Sequence, residues 1–538
     1  MEGTIESREW DVIVIGTGIG GGTIGFKLAK AGKRVLFLEK GRSHLGCTTS
    51  LSGQYAEMFF PAFEPPESKH SDILSKAGRW TDPIIDASGK RAHSDIPFVG
   101  CGTGGSSALY GMAMERFSQT DFHCRSNRAG ADGSNLPESW PISYGDLKPY
   151  YEQAEQLYRV RGTGDPLRKE TIKTYQAPIP LSPPNVELFN FLGGKGLHPY
   201  HLPLACDAVE GCQNCQGFLC PKNCRNDSAT VCVEPAIQQY GACLLDMCEV
   251  IKIDASNSLV NAVVCRWQGK TLALRGKIVV LAAGALYTPA LLLRSSSEKF
   301  PNGLANSSGQ VGKNLMRHYI DIYAIAVRQK PRATDNLKQV AFNDLRFPEE
   351  MKFGTVQSFG PLPPPAILFA KIRKRLTDTG LPFMSHCFSV FRPIAEFAFS
   401  KIFSGRLVLA SIMEDLPYTD NAVSLSRTGD VVINYRIRPT ERARIKSFRK
   451  KIGGALKPYS FIRIKQAESN SRIAHVCGTC RSGLDPKSSV VDPFNRTHDI
   501  RNLFITDSSF FPSSGGTNPA LTIAANALRV ADHILTTR

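Results

Sequence analysis

The chain has 538 residues, 42% of them apolar and 21% charged, a soluble globular composition long enough for two domains or one heavily elaborated one. Its 65 basic and 48 acidic side chains leave a net charge of +17, which favours anionic substrates, an acidic partner or an anionic membrane surface, or simply keeps a large surface soluble. No run approaches the roughly 18 uninterrupted apolar residues of a membrane span, and the basic runs "KIRKR" (371–375) and "RARIKSFRKK" (442–451) lack the interleaved aromatics of a nucleic-acid platform.

The N-terminus "MEGTIESREW" carries acids where a secretory signal would be basic. A cytoplasmic protein is expected, with peripheral membrane association at most, and its fifteen cysteines read as thiols or ligands rather than a disulfide framework. "DVIVIG" (11–16) is a buried-strand pattern, "GTGIGGGTIGFKLAKAG" (16–32) a glycine turn entering an apolar-periodic helix, and "RVLFLEKG" (34–41) a second strand reaching Glu39. Gly16, Gly18 and Gly21 have G-x-G-x-x-G spacing. They allow a tight turn, close approach of backbone to a pyrophosphate at the helix N-terminus, and close helix packing. Glu39 stands where a carboxylate accepts hydrogen bonds from an adenosine ribose, and with no arginine beside it a 2′-phosphate is disfavoured.

FAD and NAD both use this motif, and the later segments decide between them. "VGCGTGGSSALYGMAMERF" (99–117) is a second glycine-rich loop. "KIVVLAAGALYTPALLLRSS" (277–296) reads as strand, glycine turn and helix. "NLFITDSSFFPSSGGTNPALTIAANALRVADHIL" (502–535) reads as strand, loop, and a helix opening near Pro519 with Leu521, Ala525, Leu528 and Ala531 on one face. A nicotinamide domain needs no such return of the chain end, whereas a flavin buried beneath several loops does.

Two cysteine-bearing stretches invite a metal reading. Cys206, Cys212, Cys215, Cys220, Cys224 and Cys232 crowd residues 206–232, a density that suggests zinc or an iron–sulfur cluster as well as paired or merely packed thiols. "SRIAHVCGTCRSG" (471–483) puts Cys477 and Cys480 near His475. A zinc site joining that pair to Cys212 and Cys215 would span much of the domain and consume the histidine, so no metal ligands are assigned.

The joint order of "GTGIGG" with Glu39, "GTGGSSALYGM", "WPISYGDLKPYYEQAE" (140–155), "VVLAAGALYTP", "HVCGT" and "DSSFFPSSGGTNPALT" resembles the glucose-methanol-choline (GMC) flavoprotein oxidoreductases along nearly the whole chain. The 140–155 segment is similar to the branch of sugar and polyol oxidoreductases, and "LYG...ER" to the aminoglycoside alcohol oxidases within it. The resemblance implies an α/β fold, with a Rossmann-like FAD-binding domain (1–125, 206–318 and 470–538) and an inserted substrate domain on a mostly antiparallel sheet (126–205 and 319–469). It also implies that Gly16, Gly18, Gly21 and Glu39 hold the ADP half of FAD, and that Gly104, Gly105 and Ser106 lie against pyrophosphate and flavin. Val250 would meet the adenine by its backbone, Ala283 and Gly284 would close the turn beneath the adenosine, and Asp507, Thr517 and Asn518 would reach the pyrophosphate and isoalloxazine side. Leu109 fills the place where some relatives tether the flavin to a histidine, so FAD is expected to be non-covalent. Tyr110 and Ser482 depart from the usual asparagine and methionine.

His475 and Asn518 match the family's catalytic pair, while His318 is expected at the domain junction. Oxidising an alcohol requires a base for the hydroxyl proton and a group that steadies the developing alkoxide, roles suited to an imidazole and an amide. The expected substrate is a small polar alcohol such as a sugar, aminocyclitol or polyol, with oxygen or another acceptor reoxidising the flavin. The alternatives are an electron-transfer dehydrogenase that uses the cysteines of 206–232 as a relay, and a catalytically silent flavin- or metal-binding protein.

Overall fold

The computed structural model describes residues 5–60, 67–89, 91–125, 133–212, 214–332, 335, 337–347, 351–365, 367, 382–470 and 473–537; the basic run at 371–375 lies outside them. The first strand, Glu9–Ile15, pairs in parallel with Val35–Leu38 on one side and Lys270–Leu281 on the other. Cys243–Leu245 and Leu503–Ile505 extend the parallel sheet at its two ends. Val35, Leu36, Phe37 and Leu38 are all buried, as an uninterrupted apolar strand covered on both faces must be. The long strand Lys270–Leu281 also continues outward into an antiparallel meander with Leu259–Trp267 and Glu249–Ser256.

The glycine turn at Gly18 opens the helix Ile19–Lys30, and the C-terminal helix Ala520–Thr536 returns to pack against it. Ile24 and Leu28 meet Ala527, Val530, Ala531 and Ile534 over Val35 and Phe37. The return of the chain end anticipated from the terminal segment is therefore part of the core.

A second sheet of six strands is antiparallel throughout, in the order Phe461–Ile464, Tyr319–Ile325, Leu407–Met413, Gly354–Ser358, Val340–Phe342, Tyr200–His201. Together the two sheets give the expected α/β architecture with a separate antiparallel layer. One pairing crosses the expected segment boundaries. Ile84–Asp86 and His93–Asp95 join Val431–Asn434 and Ala422–Leu425 in a four-stranded sheet, so part of segment 1–125 packs with the later insertion.

Buried ion pairs join these layers. Asp121 receives Lys352 Nζ at 2.5 Å and Arg346 Nη2 at 2.6 Å, and Lys352 also reaches Glu414 at 2.8 Å. Although burial alone would raise it, the two cations hold the Asp121 carboxyl well below the usual carboxylate range. Behind the second glycine loop, Arg116 binds Glu155 of the helix Tyr144–Leu157 in bidentate fashion at 2.6 and 2.7 Å, with the two side chains 2% and 0% exposed. Substituting Arg116→Met would strand the Glu155 charge in the core and is expected to cost about 3–5 kcal/mol of stability. The double variant Arg116→Met/Glu155→Leu should recover most of it, and denaturant unfolding of the three proteins measures both effects.

Candidate active site

The first glycine turn ends in a helix N-terminus whose leading N–H groups favour an anion. A Cβ added to Gly18 would meet nothing within 4 Å, so the backbone there borders open space. Gly21 differs: a Cβ would lie 2.0 Å from the Gly16 carbonyl oxygen, the close packing expected of the third glycine. Gly104 and Gly105, both at positive φ, face this turn, and a Cβ on Gly105 would stand 3.1 Å from Gly18 Cα. The two loops thus close on one cradle. Ser106 is exposed beside it, and its hydroxyl accepts from Gly100 N at 3.2 Å.

Glu39 is 6% exposed. Its Oε2 accepts from Thr17 N (3.1 Å) and Thr17 Oγ1 (2.6 Å), and its Oε1 from Gly41 N (3.0 Å) and Gly102 N (3.1 Å). A carboxylate offers about four acceptor positions, so the protein itself fills this one, and the Thr17 hydroxyl is the donor on a rotatable side chain. Burial raises the Glu39 pKa against these four bonds. Cys248 N donates to Glu39 O at 2.9 Å, which brings the strand Glu249–Ser256, and with it Val250, to the same edge.

Ala283 and Gly284 form the turn into the helix Gly284–Arg294. The carboxylate of Asp507 accepts from Gly284 N (3.0 Å), Thr288 Oγ1 (2.5 Å) and Ser509 N (2.8 Å). The carboxylate of Asp507 is thus committed to capping this turn, which leaves its backbone as the part of the residue that could reach the pyrophosphate side. Thr517 donates its hydroxyl to Glu115 at 2.8 Å, so that side chain is also committed within the protein. Asn518 is 7% exposed, and its Oδ1 is buried without a hydrogen-bond partner among the described residues. A buried amide oxygen left without a partner in the protein fits a bound group that donates to it.

The segment 314–318 lies antiparallel to 474–478. Met316 and Cys477 exchange two backbone hydrogen bonds of 3.0 Å, and His318 N donates to Ala474 O at 3.1 Å. The next residues, Gly478 to Ser482, bond in turn to Ser508, Ser509 and Phe510. Gly478 sits at φ 90°, where a Cβ would lie 2.6 Å from Asn314 O. His475 itself adopts φ 57°, an uncommon conformation for a residue with a side chain. This pairing places His318 Nδ1 2.9 Å from His475 Nδ1, and His318 Nε2 2.9 Å from Ser514 O in the loop that carries Asn518. Cys477 and Cys480 are buried thiols with pKa values pushed up by that burial. The sequence suggests a domain junction for His318 and does not pair it with His475, a contact that the structure shows. A polar residue beginning the apolar strand Tyr319–Ile325 is the one local signal.

The cysteines of 206–224 gather into a nest. Cys206 and Cys212 lie 3.6 Å apart, Cys212 and Cys224 3.5 Å, and Cys220 and Cys224 3.5 Å. The sulfurs of Cys206, Cys212 and Cys224 all fall within 4.8 Å of one another. Hydrogen bonds from Cys206 and Cys215 lower the thiol pKa values of Cys212 and Cys220 respectively. The buried guanidinium of Arg225 binds the carbonyl oxygens of Cys215, Phe218 and Ala108, clamping the nest to the second glycine loop. Cys232 stands apart, in contact with Thr23 and Tyr158.

The family model described as GMC oxidoreductase matches residues 13–320 with its N-terminal part and 417–527 with its C-terminal part. The chain is 27% identical over 576 residues to 6'''-hydroxyparomomycin C oxidase of Streptomyces lividus, covering 100% of this chain and 94% of that protein. It is 28% identical over 580 residues to 2-methyl-1,2-propanediol dehydrogenase of Mycolicibacterium austroafricanum, covering 99% and 96%. Among solved structures, pyridoxine 4-oxidase from Mesorbium loti superposes with a TM-score of 0.63 at 18% identity, covering 98% of this chain and 100% of that one.

The cradle separates two glycines by experiment. Gly18→Ala places its Cβ where no protein atom lies within 4 Å, so it should weaken FAD retention and leave the melting temperature of the apoprotein unchanged. Gly21→Ala should lower the melting temperature of the apoprotein itself, because its Cβ strikes the Gly16 carbonyl. Flavin absorbance after gel filtration and a thermal melt of each apoprotein read the two effects.

Proposed function

Since the chain belongs to the GMC oxidoreductase family and is an FAD-dependent oxidoreductase of CH–OH donors, we propose that it oxidises a hydroxyl of a small polar alcohol, with His475 as base and Asn518 as the group that steadies the oxygen. The substrate class is a sugar, aminocyclitol, aminoglycoside or polyol, of which the aminoglycoside and the diol are supported by the names of the relatives just given. The observation that carries the assignment of residues is the place of buried Asn518 in a loop held beside His475 through His318 and Ser514; its Nδ2 is the group that donates to the substrate oxygen, and its unpartnered Oδ1 is left to accept from a bound group.

Gly16, Gly18 and Gly21 would hold the ADP half of FAD non-covalently, with Glu39 accepting from its ribose once the Thr17 hydroxyl turns away, with Gly104, Gly105 and Ser106 across the cradle and Val250, Ala283 and Gly284 at the adenosine end. Thr517 contributes through its backbone, since its hydroxyl serves Glu115, and Asp507 by shaping the turn at Gly284. When bound, FAD supplies the acceptor, at flavin N5, for the hydrogen that leaves carbon as hydride. The protein's own part is proton and charge management. A neutral His475 imidazole takes the hydroxyl proton. The Asn518 amide donates to the same oxygen and resists its drift as negative charge develops. The closed core behind the terminal loop, built on Phe510 and Phe511 at 0% exposure, keeps that charge away from bulk water.

One observation favours a second reading. The convergence of Cys206, Cys212 and Cys224, clamped by Arg225 to the flavin-side loop, supports an electron-transfer dehydrogenase whose thiolates hold a metal or iron–sulfur cluster and pass electrons to a partner.

Anaerobic stopped-flow reduction against a panel of sugars, aminocyclitols and diols tests both. His475→Ala should retain FAD and lose about 10²–10⁴ in the rate of flavin bleaching, and unchanged bleaching would remove His475 from the mechanism. Iron, acid-labile sulfide and a paramagnetic signal in the purified holoenzyme would establish the second reading, whereas flavin bands with no bound metal would eliminate it. Admission of oxygen after bleaching then shows whether oxygen is the acceptor.

A further inference from the structure

The contact between His318 and His475 constrains more than their positions. His318 is 2% exposed, and its Nε2 lies 2.9 Å from the Ser514 carbonyl oxygen. A carbonyl oxygen only accepts, so Nε2 of His318 carries the proton of that bond. A neutral imidazole has one N–H, which leaves Nδ1 of His318 as a lone pair. The 2.9 Å contact between the two Nδ1 atoms can then be made in one way, with Nδ1–H of His475 as donor. The lone pair of a neutral His475 is thereby assigned to Nε2.

We propose that His318 is a positioning residue that fixes His475 in its Nδ1–H tautomer and so makes Nε2 the atom that accepts the substrate proton, an inference that rests on the reading of His475 as the base. Nothing intrinsic to an imidazole reserves Nε2 for the substrate; the bond made by the other nitrogen decides it. In the usual arrangement a carboxylate performs this task, while here an uncharged ring does so and adds no negative charge beside a site where an alkoxide develops.

The proton balance is simple. The hydroxyl proton ends on Nε2 of His475, and the resulting imidazolium keeps its Nδ1–H on His318, a bond that becomes charge-assisted. His318 keeps its own proton on Nε2 against Ser514 and passes nothing on. Burial depresses the His318 pKa to about 4, Lys352 and Arg346 adding to the effect while the Ser514 carbonyl and Glu414 oppose it, so the ring remains an acceptor across the physiological range. Were His318 charged, both its nitrogens would donate, His475 Nδ1 would have to accept, and the proton of neutral His475 would sit on Nε2 and block it.

Two substitutions separate this role from a merely structural one. His318→Asn puts an amide oxygen near the place of Nδ1 and gives up the Ser514 contact, whereas His318→Gln reaches toward Ser514 and leaves no acceptor for His475. Long-range proton–nitrogen correlation of the ¹⁵N-histidine-labelled holoenzyme, with the His475 signals identified by their loss in His475→Ala, should show Nδ1 protonated in the wild type and in His318→Asn. In His318→Gln the proton should move wholly or partly to Nε2. At equal FAD content, flavin bleaching should fall by about 10²-fold in His318→Gln and by less than about 10-fold in His318→Asn. A wild-type signal protonated at Nε2, or the reverse ranking of the two variants, would overturn the proposal. Failure of the base assignment shows separately, as undiminished bleaching in His475→Ala with the tautomer result unaffected.

Discussion

One buried carboxylate holds the cofactor end of this protein together. Glu39 takes two hydrogen bonds from Thr17 in the first glycine turn, one from Gly41 just beyond its own strand, and one from Gly102 in the second glycine loop. Thr17 Oγ1 in turn accepts from Gly104 N at 3.1 Å. Segments far apart in the chain therefore share one charge-assisted network inside the core, where each such bond is strong and each loss costly. The two loops can approach to glycine-on-glycine distance because neither carries a side chain at that point and because Glu39 absorbs their donors.

The other end of the site is organised by charges of both signs. Asp121, Lys352, Arg346 and Glu414 are all buried, and Arg346 also donates to the Gly515 carbonyl oxygen at 3.1 Å. Ser514 exchanges hydrogen bonds of 3.0 and 2.9 Å with the Asp415 backbone. The loop that carries Asn518 is thus suspended from the antiparallel layer on one side and leads into the C-terminal helix on the other. An amide held this way would change its angle little if charge built on a bound substrate, which is the condition for electrostatic stabilisation without reorganisation.

Much of the cofactor half was legible because its signals are local. "DVIVIG" is a strand since the four apolar residues Val12 to Ile15 in a row suit a sheet covered on both faces, and the turn after it needs glycine at positive φ, as Gly16 at 93° shows. The helix opening near Pro519 followed from its apolar stripe, and the observed helix runs Ala520–Thr536. The use of the Asp507 side chain was harder to read. Its carboxylate caps the turn at Gly284, and whether a carboxylate serves a ligand or a backbone turn cannot be told from its neighbours in sequence.

The order of the motifs, the passage from a continuous apolar strand to an apolar-periodic helix, and the glycine spacing with an acid at the end of the second strand were determined by the sequence alone, because each is a pattern among residues close together in the chain. Which groups then meet across long separations was decided by the tertiary structure. His318 and His475 are 157 positions apart, His318 and Ser514 are 196 apart, and the proposed tautomer of His475 rests on both bonds. The cysteine nest has the same character, since short spacings announced the thiols while only the folded loop, clamped by Arg225, made three sulfurs converge. Hydrogen-bond direction and sulfur convergence are set by backbone register between distant segments, and register exists only once the sheets have formed.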